Sequence, residues 1–185
     1  MRPRLTRSER VAVLVETALI LPILIVLVFG IIEYSAAYHD SSLAADAARS
    51  AGRIASAESL NPDYAIDAAS AASAALQGMP SNQPQQLWIY KANSNGYPGS
   101  ETSFTSCGDN CIEYPWQQST KSFNTAAPGG DGWPASDQQV CTSPSDEVGV
   151  FVQVQHNFIT KLFGASVTLS DHAVFRLEPA ALAEC

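Results

Sequence analysis

The apolar pattern begins with one long run, Val11 to Tyr34, VAVLVETALILPILIVLVFGIIEY, interrupted by one carboxylate, Glu16, and one proline, Pro22, before it closes at Glu33 and Tyr34. As a helix, Val11 to Ile32 rises roughly 33 Å, enough to cross a hydrocarbon core of about 30 Å. Counting from Thr17 leaves only about 24 Å, so Glu16 is expected just inside one membrane face. Beyond the run the pattern thins into SAAYHDSSLAADAARSAGRIASAESL, where Tyr34, Tyr38, Leu43, Ala44, Ala47, Ala48, Ala51, Ile54 and Ala55 recur at three- and four-residue steps. This predicts an amphipathic helix running straight out of the membrane, with Tyr34 and Tyr38 at the outer interface. Its stripe is mostly alanine, which permits close backbone approach but buries little area per residue.

Asn61-Pro62 predicts an N-cap followed by proline at the first position of a second helix, Asp63 to Gln77, whose Ala65, Ala69, Ala72 and Leu76 share a face. Strand patterns follow at Gln86 to Lys91, Glu147 to Phe158 and Ala165 to Leu177. In the last two, Val148, Val150, Val152 and Val154, and then Val167, Leu169, Ala173 and Phe175, alternate onto single faces. Asn157 to Gly164, NFITKLFG, is expected as a helical turn between them. The fold class is α+β: a transmembrane helix continuing into a long exported helix, packed on a small antiparallel sheet. Residues 1–10 form a basic leader, 11–34 the span and 35–185 one exported head. Within that head, 92–146 is an irregular excursion stapled by disulfides.

Charge fixes the expected orientation. Arg2, Arg4, Arg7 and Arg10 precede the span and no Lys or Arg follows it until Arg49, so the N-terminus is cytoplasmic and the rest extracytoplasmic. From Glu33 onward 16 acidic residues stand against 6 basic ones, which argues against nucleic acid as a partner. Cys107, Cys111, Cys141 and Cys185 all fall on the oxidising side, where disulfides are expected and three connectivities are open. An alternative is a secretory signal cut after Ser35-Ala36-Ala37.

The stretch ERVAVLVETALILPILIVLVFGIIEYSAAY, with AADAARSAGRIAS and the closing VTLSDHAVFRLEP, resembles the TadE-like proteins, pilin-like minor components of tight-adherence (Flp, type IVc) pilus systems. The resemblance implies a minor pilin or pseudopilin in the bacterial cell membrane. It also implies a prepilin-peptidase cut between Val11 and Ala12, with Glu16 at the fifth position after it. Val11 stands where the family has glycine. Glu16 would pair with the freed amine of Ala12 in a neighbouring subunit, and Pro22 and Arg49 and Arg53 of the helix segment would take part in assembly. The implied partners are the lipid bilayer, other pilin-like subunits, the assembly machinery and prepilin peptidase.

No catalytic constellation is legible. His39, His156 and His172 are scattered, with His156 and His172 expected to face each other across the last hairpin. Cys107-x3-Cys111 lies within zinc spacing, but outside the cell a disulfide is favoured. Asp109 and Asn110 offer too few ligands for calcium. No metal or cofactor is expected. The other functional class is an envelope-anchored or secreted adhesin, whose excursion aromatics Phe104, Tyr114, Trp116, Phe123 and Trp133 would meet a ligand, with Trp116 and Trp133 as the candidate contacts.

Overall fold

The computed structural model describes residues 7–80, 82–127, 132–161 and 164–178, with side chains from Val11 on. The apolar run and the alanine-striped segment form one unbroken helix, α1 (Arg7–Ala57), of 51 residues and about 76 Å. Pro22 lies within it. The second helix, α2 (Tyr64–Ala75), starts later than the Asn-Pro signal suggests. Asn61 is not its cap: its Oδ1 accepts the amide of Asp63 at 3.1 Å, an Asx turn that leads the chain into the helix.

Four strands, β1 (Pro84–Lys91), β2 (Cys111–Pro115), β3 (Glu147–Asn157) and β4 (Ser166–Arg176), form one sheet in the order β2-β1-β3-β4. All three pairings are antiparallel. The periodicity reading missed β2, which lies inside the supposed excursion; CIEYP is too short to show alternation. The connection at NFITKLFG is also not a helical turn in its described part. Phe158 donates its amide to the carbonyl of Ala165 at 3.1 Å, and Lys161 and Gly164 take positive φ, so the two ends of the loop meet as in a hairpin.

The sheet's inner face carries Leu87, Ile89, Val148, Val150, Val152 and Val154, all fully buried against the helices. Alanines 44, 47, 48, 51 and 55 of α1 and 65, 68, 69 and 72 of α2 close the other side. Small side chains let the layers approach, and Gly52 shows how closely. A Cβ there would fall 2.5 Å from Cε2 of Phe175 on β4, so the ring takes the place a side chain would need.

The described residues of the excursion fall into two halves. The first covers the outer face of the sheet, where Phe104 stacks on Phe151 at 4.7 Å over Trp88 and Tyr90. Cys107 bonds to Cys111 at the start of β2 and pins that cover. The second half returns to the main core: Phe123 donates its amide to Ser73 Oγ at 2.9 Å, and Trp133 sits edge-on to Tyr64. Lys91 and Asp146, 2.8 Å apart, join its two ends.

Candidate functional site

The feature that distinguishes this fold is the abrupt change along α1. From Val11 to Ile32 its large apolar side chains stand exposed, and no part of the most apolar window is buried. It is long and apolar enough to cross a membrane. Glu16 lies exposed on this bare half, one turn below Ile20. Thr17 turns its hydroxyl back to the Val13 carbonyl at 2.8 Å, keeping that polar group satisfied within the helix.

At Glu33 the surroundings reverse. Glu33, Asp40, Ala44, Ala47, Ala51 and Ala55 follow one another at steps of seven, four, three, four and four along one face of α1, and all are buried. The two acids form the end of the alanine stripe nearest the bare half. Glu33 accepts the amide of Ile159 at 3.0 Å, the amide of Thr160, and the Thr160 hydroxyl at 2.7 Å. Asp40 Oδ2 accepts from His156 Nδ1 at 2.7 Å, with the imidazole only 3% exposed. Asp40 lies about 10 Å above Glu33 along the helix, and His156 lies about the same distance above the loop along its strand. The β3–β4 hairpin therefore runs along α1 with its closed end toward the bare half, buttoned at two points. Tyr34 and Tyr38 are turned away from this face and exposed; the stripe they were assigned to carries Glu33 and Asp40 there instead.

Glu33 and Asp40 as buttons escape a periodicity reading because acids count as solvent-facing. Two carboxylates seven residues apart, in phase with a stripe of alanines, were the available signal. His156 does not face His172: it lies opposite Val167 on the inner side, while His172 lies opposite Phe151 on the outer side, its ring 4.7 Å from Phe104. Side chains on one face of a strand are separated by even steps, and Val167 and His172 are an odd step apart on β4, so the two histidines take opposite faces.

Arg49 is exposed and 3.4 Å from Asp46 on its own helix, and Arg53 is exposed one turn on. Cys107 and Cys111 are consumed by their disulfide, Cys141 is also disulfide-bonded, and Cys185 lies outside the described residues. Trp133 is 1% exposed; its carbonyl accepts the Tyr64 hydroxyl at 2.6 Å, and burial pushes that phenol's pKa up. Trp116 is half-buried, edge-on to Phe123 at 4.9 Å. Among the described residues no group of three His, Cys, Asp or Glu could hold a metal ion.

The family model for TadE-like proteins matches residues 12–53, all of them on α1. This segment is similar to TadE-like proteins. The match begins at Ala12, directly after the expected cut, and runs through Glu16, both buttons, Arg49, Gly52 and Arg53. No curated protein and no solved structure gives a significant match. The TadE-like family implies a component of a pilus-associated Tad system, with membrane association and contact with the pilus assembly machinery. It is a family of pilus components that is not known for catalysis.

Proposed function

We propose that the chain is a non-catalytic minor pilin or pseudopilin, held in the bacterial cell membrane by α1 and drawn from it during assembly of a tight-adherence pilus. The observation that carries this reading is the two-part helix. The alanine face of its head-side half is filled by the chain's own sheet and α2, so what α1 leaves for neighbouring subunits is the bare apolar half with the charge it carries, together with the polar outward side that bears Arg49 and Arg53. The alanine stripe, being spent inside the head, does not serve lateral contacts between copies.

Glu16 is the group that gives such contacts a register. A carboxylate within a membrane helix costs about 2.5–3.5 kcal/mol on the lenient insertion scale, so an amine beside it in the next subunit offsets an existing penalty. Cleavage between Val11 and Ala12 would create that amine. Arg49 and Arg53 then lie on the outward side of the same helix, where acidic residues of an adjacent head would meet them.

The test is the N-terminal residue of the protein in its native cell together with a Glu16→Ala variant. Ala12 at the mature terminus, with Glu16→Ala processed but left in the membrane, is the expected result. A mature terminus at Met1 removes the amine from the account, one at Tyr38 makes the protein a secreted one, and normal assembly of Glu16→Ala removes the charge pairing.

A further inference from the structure

Outside α1, the exposed large apolar side chains among the described residues are two: Ile159, 70% exposed, and Val167, 37% exposed. Both belong to the same end of the head. Ile159 is in the β3–β4 loop, and Val167 is the second residue of β4, paired with His156. Scattered exposed apolar residues are ordinary on a protein surface, and their exposure alone signifies nothing. Their height relative to the helix is what matters here.

That height is fixed by a hydrogen bond. The Ile159 amide lies 3.0 Å from the Glu33 carboxylate, and Glu33 is the residue directly after Ile32, the last of the apolar run. A bilayer whose hydrocarbon ends near Ile32 has a headgroup region roughly 6 Å deep beyond it. Ile159 and Thr160 are held within that depth. The loop's exposed residues have the chemistry of that layer: an aliphatic side chain at Ile159 and an ammonium at Lys161, which is also exposed.

We propose that the start of the β3–β4 loop, Phe158 to Lys161, is a second membrane contact, with Ile159 inserted at the outer-leaflet interface and Lys161 at the level of the lipid phosphates, while the head remains on the anchored protein. The occupant is the phospholipid interface because the loop is tied to the helix at the level where the span ends. The head is thereby set down on the membrane at a defined height and rotation. The inference rests on the reading that Val11 to Ile32 spans the bilayer, and it adds a contact which that reading does not require.

The experiment uses the full chain reconstituted in phosphatidylcholine–phosphatidylglycerol vesicles, with phospholipids brominated either near the headgroup or deep in the acyl chains. Ile159→Trp adds one indole at an exposed position, so the fold is not at stake, and its emission is taken as the difference from the parent protein. Leu24→Trp, on the bare half of α1, reports the span independently. The expected result is quenching of the indole added at position 159 by shallow bromines at least about twofold beyond that by deep bromines, with protection from aqueous iodide. Leu24→Trp should show the opposite depth preference. If Leu24→Trp is quenched by lipid while the indole at position 159 is quenched by iodide alone, the loop stands in water and the proposal fails with the span intact. Protection of position 159 from both quenchers means another copy covers it, which also overturns the proposal. Absence of lipid quenching at position 24 removes the span and the second contact together.

Discussion

Asp40 and His156 are the most deeply enclosed acid–imidazole pair among the described residues, and the imidazole is shut off from water. In Asp40→Ala the Nδ1 hydrogen loses its acceptor while the ring stays buried, a loss of about 1–3 kcal/mol in head stability. Chemical denaturation followed by the near-ultraviolet signal of the core aromatics measures it. Gly52 makes a different point, because two effects of opposite sign meet there. Alanine in place of glycine within a helix gains roughly 0.5–1 kcal/mol, but forcing a methyl into the space of the Phe175 ring costs about 1–3 kcal/mol. Gly52→Ala is therefore expected to destabilise by about 1 kcal/mol, and Phe175→Leu in the same chain to restore part of the loss, as a double-mutant cycle would show. Glu58 carries a pH signature. Burial first, and the neighbouring Asp67 carboxyl second, raise its pKa. The native state then holds its proton more tightly than the unfolded chain, so this group's contribution to stability is present at acid pH and is lost as pH rises from the ordinary carboxylate range through the native value. Glu58→Gln should raise the unfolding midpoint more at about pH 7 than at about pH 4, as thermal scans at the two values would reveal.

At the level of elements, the helices and the long strands were legible because each is amphipathic over enough residues to display its period. The alanines of α1 and α2 and the valines of β3 are buried as expected, and Leu169, Ala173 and Phe175 of β4 pack against them. Val167 shares their face but is exposed, because the hairpin has there run past the inner valines toward the bare half of α1. β2 was not legible, since it is five residues long and owes its place to pairing with β1 and to the Cys107–Cys111 bridge, neither of which leaves a local pattern. The excursion aromatics were visible but their direction was not. Trp133 and Phe123 turn into the main core, while Phe104 covers the outer face, because the sheet offered apolar surface on both sides. Cys107 closes a loop with a sequence separation of only 4, for which chain entropy gives about 2 kcal/mol. Replacing both Cys107 and Cys111 with serine should therefore lower stability by about that amount and loosen the Phe104 cover, without unfolding the valine face. The hairpin end depends instead on Glu33. Amide exchange at Ile159 and Thr160 is expected to quicken at least about tenfold in Glu33→Ala, because both amides lose a charged acceptor, while β1 exchange stays unchanged.

For the molecule as a whole, the apolar run and the likeness of the first helix to TadE-like proteins were legible in the sequence, and the structure adds how the head is mounted on that helix. What could not be read in advance is that the alanine stripe is wholly occupied by the chain's own head. That occupation divides α1 into an internal scaffold and a bare apolar rod, with the division at Glu33. The scaffold half also continues without a break into the rod half, and this has a mechanical consequence. On the proposed pilin reading, a machine gripping the head would have no slack linker to take up before its force reached the bare apolar turns. Tension travels along the peptide hydrogen bonds of a single rod, and the turn least able to carry it is the one at Pro22, where the Ala18 carbonyl meets no amide. Extraction would thus begin with a stretch at that turn, ahead of any yielding in the globular part.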